Sequence, residues 1–254
     1  MKKINVFDFI CLLKSEFVFS SRSWIKIVAQ PLVFSTLYFT VIRVLVDRSV
    51  TLSENYFSFI ASGVIFQSMC NYAVITTCSS IFSRKISNSF DSILVASISN
   101  FRVILAFIIG GGARALVIGV IIYMSSFVFM RIHVSSVIIT FFSSFLSISF
   151  FSMVGVLIGL YITKFETMSN LSTFFLSPLM MISGVFSDIN NYPYIFKYIV
   201  YVNPFYWLLC FFRTGFIGRG GGSGLLITGV ITLLGIVLYH YSSLLLSSKE
   251  RQHL

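Results

Sequence analysis

Apolar positions fall in six long runs, at about 27–46, 57–81, 103–128, 134–162, 168–187 and 222–246, each uncharged or nearly so. A helix needs about 20 predominantly apolar residues to cross a hydrocarbon core of about 30 Å. Lipid cannot hydrogen-bond a peptide backbone, so a crossing segment must satisfy its own N–H and C=O groups as a helix. The pattern therefore predicts an all-α polytopic membrane protein of six transmembrane helices.

Two stretches depart from that pattern. In residues 4–20, Val6, Phe7, Phe9, Ile10, Leu13 and Phe17 share one half of a helical wheel, and Asn5, Asp8, Ser15 and Glu16 share the other. This fits an amphipathic helix lying in the membrane interface; a cytosolic tail helix is the other reading. Lys14 falls on the apolar half, where a long stem can carry its ammonium to the headgroups. In residues 188–218, Asp188, Pro193, Lys197, Pro204 and Arg213 interrupt a segment rich in Tyr and Trp, the side chains that settle at membrane surfaces. Short outer helices, re-entrant or interfacial, are expected there. A hydropathy window alone would count 205–218 as one more crossing. Gly220, Gly221, Gly222 and Gly224 then form a flexible link to the last run.

Composition strengthens the membrane reading: 57% of the 254 residues are hydrophobic and 10% charged, against roughly a quarter charged in soluble domains. The net charge of +10 would suit a nucleic-acid partner in a soluble protein. Here the charges sit between apolar runs, so no nucleic acid is expected and their distribution matters more than their sum. With six crossings both termini share a face. Lys2, Lys3, Lys14, Arg22, Lys26, Arg84, Lys85, Arg102, Lys164, Lys249 and Arg251 fall on that face, eleven against six on the other, Arg43, Arg48, Arg131, Lys197, Arg213 and Arg219. Positive charge accumulates on the cytoplasmic side, which places the termini, the 82–102 loop and the Lys164 turn there. The basic start Met1-Lys2-Lys3 is not expected to open a signal peptide, because Asp8, Lys14, Glu16, Arg22 and Lys26 interrupt the apolar residues after it.

Candidate chemistry is sparse. The chain contains no G-x-x-x-x-G-K-[ST], so no phosphate-cradling loop, and no H-E-x-x-H. His133, His240 and His253 lie far apart in sequence, and Cys11, Cys70, Cys78 and Cys210 show no metal-ligand spacing, which leaves no catalytic residue, cofactor or metal site expected. None of the eight carboxylates falls in the middle of a predicted span. Ion-coupled transporters usually keep an intramembrane acid for the coupling ion, so the driving energy is expected from outside the chain. Arg114, after Gly110-Gly111-Gly112-Ala113, is the basic residue well inside a run. It contacts either an anionic substrate or a neighbouring helix end, or the span begins later and leaves it near the cytoplasmic interface. Arg84, Lys85, Asn88 and Asp91 precede Ile93, Leu94 and Val95, a charged patch beside an apolar one that suits either protein docking or contact with headgroups.

The run Leu176-Ser177-Pro178-Leu179-Met180-Met181-Ile182-Ser183-Gly184-Val185-Phe186, then Pro193, Val202-Asn203-Pro204-Phe205-Tyr206 and Arg213 to Gly218, resembles the ABC-2-type permeases, in particular the small bacterial inner-membrane members. Residues 83–96 leading to Gly110-Gly111-Gly112-Ala113-Arg114 resemble the same family, with Asp91 where Glu is common and Ser97 where Pro is common. The resemblance implies one transmembrane domain over residues 1–254, with an interfacial N-terminal helix, a cytoplasmic coupling helix between spans two and three, and short outer helices before span six. It also implies a pair of permease copies above two separate ATPase subunits, which use ATP on the permease's behalf. Arg84, Lys85, Asp91, Ile93 and Leu94 are then the expected ATPase contact, and Pro178, Gly184, Pro193, Asn203, Pro204 and Arg213 the outer-segment motif. The rival readings are a membrane-embedded enzyme acting on lipid and a membrane scaffold. Substrate is not legible, because one fold serves many cargoes.

Overall fold

The computed structural model describes residues 6–48, 54–87, 89–90, 99–129, 132, 134–162, 164–189, 192–218 and 223–252. Every regular element among them is helical: α1 (Val6–Arg48), α2 (Glu54–Ile86), α3 (Asn100–Phe129), α4 (Val137–Tyr161), α5 (Phe165–Asn170), a π-helical turn (Leu171–Leu176), α6 (Ser177–Ile182), α7 (Tyr194–Val202), α8 (Pro204–Phe216) and α9 (Ser223–Gln252). Among the described residues, four helices are long and apolar enough to cross a membrane by themselves, within Tyr56–Ile86, Asn100–Phe129, Val137–Tyr161 and Thr228–Ser247; Val28–Val44 of α1 is a shorter apolar stretch.

The expected interfacial helix and first span are one continuous rod. No glycine interrupts residues 6–48 and the helix runs on through Pro31, although proline removes one ladder bond. At 1.5 Å per residue it is about 64 Å long, roughly twice the hydrocarbon thickness. It packs lengthwise and parallel to α3: Glu16 lies against Gly110, the Ser35 and Ser125 hydroxyls are 3.2 Å apart, and the Phe39 and Phe129 rings are 6.4 Å apart. Within this stretch Phe9 and Leu13 of the expected apolar half do pack against the core, but three positions depart from the expected sidedness. Glu16 is fully buried, while Ile10 and Phe17 are each more than half exposed. A helix at a membrane surface turns polar groups to water; this one packs beside α2 and α3 and turns its carboxylate to their polar groups.

α2 is the central helix, packed between α3 and α4. The three approach so closely that a Cβ on Gly111 would lie 1.8 Å from Thr77 Oγ1, and one on Gly155 would lie 2.7 Å from the Val74 carbonyl. Small residues permit such contacts where no hydrophobic effect drives helices together. Phe39, Phe57, Phe66, Phe205 and Phe212 fill the core toward the face away from the termini.

The fifth expected span is broken. α5 and α6 are joined through the π-helical turn, which ends just before Ser177-Pro178, where an α-helical ladder would need a proline N–H. The rod ends at Ile182, with Gly184 at φ +79°, a conformation that suits glycine. α7 and α8 then meet at 82°. α8 has 13 residues, about 20 Å, too short to cross 30 Å of hydrocarbon. It enters the bundle rather than lying on it: the Phe205 ring packs on Phe66 (5.1 Å) and Phe151 (5.7 Å), and at the other end Ser136 N–H donates to the Gly215 carbonyl (2.8 Å). α8 thus runs antiparallel to the first half of α4, a re-entrant half-helix with its N-terminus deep.

Candidate functional site

Among the described residues, two buried polar clusters stand out in this apolar bundle, one toward each face. The first gathers on the side of the termini. Ser80 Oγ donates to the Glu16 carboxylate, 2.8 Å from Oε1 and 2.7 Å from Oε2. Arg84 donates to Oε1 from Nε (3.0 Å) and Nη2 (2.7 Å), and from Nη2 to Ser15 Oγ (2.8 Å). Arg114 Nη2 donates to Oε2 at 3.3 Å and to the Thr76 carbonyl at 3.4 Å, and Nη1 lies 3.5 Å from the Glu16 carbonyl. The Arg84 guanidinium also lies 5.5 Å from the Phe107 ring centre. Three helices, α1, α2 and α3, meet on one carboxylate with two cations beside it. An isolated charge at this depth costs several kcal/mol, and pairing offsets that only when hydrogen bonds complete the shell.

Lys85, the next residue, points the other way. Its Nζ donates to the carbonyls of Gly159, Leu160 and Ile162 at 2.6, 2.7 and 3.2 Å. These are carbonyls at the end of α4, which has no further helical turn to satisfy them, and a cation there also suits the negative end of the helix dipole. Arg84 and Lys85 therefore fasten the end of α2 to α1 and α4. Asp91, Ile93 and Leu94 lie outside the described residues. Ile86, the last residue of α2, is well exposed.

Arg114 reaches two neighbouring helices away from their ends, α1 at Glu16 and α2 at the Thr76 carbonyl. Counting about 20 residues back from Phe129 puts the start of the crossing near Gly110, and the Arg114 side chain reaches a neighbouring helix at that level. Gly110 makes the approach possible, since a Cβ there would be 2.9 Å from Glu16 Cβ.

The second cluster brings together most of the outer motif. Asn203 caps α8, its Oδ1 accepting from Phe205 N–H at 3.0 Å, and Pro204 occupies the first turn, where a missing N–H costs nothing. Asn203 Nδ2 donates to the Leu179 carbonyl (2.8 Å) and to Ser183 Oγ, which ties the start of α8 to the end of α6. Arg213, ten residues on, is buried and donates to the carbonyls of Gly184 and Val185 (3.0 Å each) and Phe59 (3.3 Å) and to Ser62 Oγ (3.3 Å). Its guanidinium lies 3.7 Å from the Phe59 ring centre, a cation–π contact that replaces part of its hydration. Pro178 and Pro193 are outside the cluster; Pro193 begins α7, its carbonyl accepting from Phe196 and Lys197 N–H.

Sequence reasoning missed Glu16, Ser80, Thr76 and Ser62. Their signal was available only as a pairing rule: a deep arginine implies an acid within reach, and Glu16 is one of the eight carboxylates in the chain. The reading that no acid stands within the spans holds for the runs as drawn, yet the packing of α1 brings one to the bundle.

With this geometry in place, comparison with known proteins adds three findings. A family model described as ABC-2 type transporter matches residues 8–217. The chain is similar to the inner membrane transport permease YadH of Escherichia coli strain K12, 27% identical over 220 residues that make up 86% of each chain. It is similar to the same degree to the YadH proteins of Escherichia coli O157:H7 and Shigella flexneri.

Proposed function

The chain belongs to the ABC-2 type transporter family and is a membrane permease subunit of an ABC transporter, and from that premise we propose that it is the passive half of an exporter, worked by separate ATPase subunits. Two copies form the substrate path, two ATPases bind on the face of the termini, and that face is cytoplasmic. The charge asymmetry along the chain supports the orientation. The absence of a P-loop in the sequence supports an external source of energy.

One observation carries the mechanical reading. The end of α2, which takes in the first residues of the loop expected over 82–102, is fastened by adjacent residues to two other helices, Arg84 to Glu16 of α1 and Lys85 to the end of α4. A push on that loop is delivered to three helices at once. Nucleotide binding by the ATPases then favours one arrangement of the bundle, because a ligand shifts an equilibrium by its differential affinity for the two states.

The test is a photo-crosslinking residue at the exposed Ile86 in cells that carry the native partner. A crosslink to a protein with a P-loop, and ATP turnover by the purified complex, are the expected results. Capture of lipid alone, with no ATPase co-purifying, would overturn the assignment.

A further inference from the structure

The two oxygens of Glu16 are divided unequally between its two arginines. Arg84 makes short bonds of 2.7 and 3.0 Å to Oε1. Arg114 makes only long contacts, 3.3 Å to Oε2, 3.4 Å to Thr76 and 3.5 Å to the Glu16 carbonyl, and its buried Nε has no acceptor. Thr77, on the next position of α2, also holds a buried hydroxyl without a partner. An unmet buried donor costs about 1–3 kcal/mol, more when charged. Gly110 and Gly111 pack directly on Glu16 and Thr77, and among the described residues Glu16 is the carboxylate paired with Arg114.

We propose that Glu16 is an exchangeable anchor: Arg84 holds it in the arrangement described here, and Arg114 takes it in a second. In the first, α1 is fastened to the end of α2. In the second, α1 is fastened to α3 and Arg84 lets go of it, with Lys85 still holding the end of α2 to α4. The carboxylate stays paired in both, and the arginine that gives it up in the second is Arg84, the more exposed of the two (15% against 7%), which limits the cost of the exchange. Glu16 is a positioning residue, and its role as the joint that passes motion from the 82–102 loop rests on the coupling reading above; the exchange itself does not.

The experiment uses the permease alone in lipid nanodiscs, with Cys11 replaced by Ser and spin labels at Lys14→Cys and Ile86→Cys, both exposed positions on α1 and α2. Lysine lacks the two-pronged donor of arginine, so R84K weakens the first arrangement and R114K the second. R84K is expected to raise the long-distance fraction about tenfold relative to R114K, the two moving in opposite directions from the parent. E16Q, added to either, abolishes the difference between them. A rigid strut would broaden the distance and lower thermal stability alike in both lysine variants, and that outcome overturns the exchange. A single unchanged distance in all variants overturns it too. Since no ATPase is present, either failure leaves coupling to be decided separately by the Ile86 crosslink.

Discussion

Removing the Glu16 carboxylate should be the most damaging single change toward the face of the termini. In Glu16→Ala, Arg84 loses its two contacts to the carboxylate, Arg114 loses its one and Ser80 loses its acceptor. Glu16 is fully buried and the Arg114 side chain is 7% exposed, so water cannot replace the lost partner. Breaking a buried pair from one side costs about 3–5 kcal/mol, because the remaining charge is stranded. With roughly 2–4 °C per kcal/mol for a domain of 150–250 residues, the melting temperature of the purified permease should fall on the order of 10 °C. Arg84, at 15% side-chain exposure, can turn outward, so the stranded charge that matters is Arg114. It follows that Glu16→Ala/Arg114→Ala should be less damaged than the sum of its single changes by about 1–3 kcal/mol. Thermal denaturation of the four proteins of this cycle, followed by size-exclusion chromatography, measures both numbers. A Glu16→Ala loss under about 1 kcal/mol, or strict additivity with Arg114→Ala, would refute the reasoning.

Other outcomes follow from the same contacts. Asn203→Asp keeps an oxygen to cap α8 but cannot donate to the Leu179 carbonyl; it should lose about 2 kcal/mol or more, and Asn203→Ala a similar amount, read as faster trypsin cleavage at Lys197. Arg213→Lys keeps the charge yet cannot reach four acceptors at once, so stability should drop by about 1–3 kcal/mol on thermal melting, with Arg213→Gln no better. Lys85→Met strands carbonyls at the end of α4 and should loosen that end, seen as faster amide exchange at 159–162. Thr77→Ala removes a hydroxyl that has no partner and should be neutral or slightly stabilising; it should also partly rescue Gly111→Ala, whose new methyl group would meet that hydroxyl.

These contacts also decide how docking must be probed. Reversing the charge of Arg84 or Lys85 breaks helix packing before it touches any partner, so loss of an ATPase in such variants would not isolate the docking surface. Exposed Ile86 makes the cleaner probe.

The sequence by itself determined that the chain is helical and membrane-embedded and where most crossings lie, because the cost of an unsatisfied backbone in lipid leaves few alternatives and the apolar runs are long. It also made the outer motif legible in part: Asn203-Pro204 is a local device, a cap followed by a residue needing no N–H, and local devices can be read from neighbouring letters. Tertiary structure alone decided what lies far apart along the chain. Glu16 reads as the wet side of a surface helix until α2 and α3 supply Ser80, Arg84 and Arg114, 64 to 98 residues away. Arg84 and Lys85 read as a basic loop until packing shows both turned inward. A residue's polarity is written in the sequence, but which partner satisfies it depends on which helices lie together, and hydropathy carries no record of that.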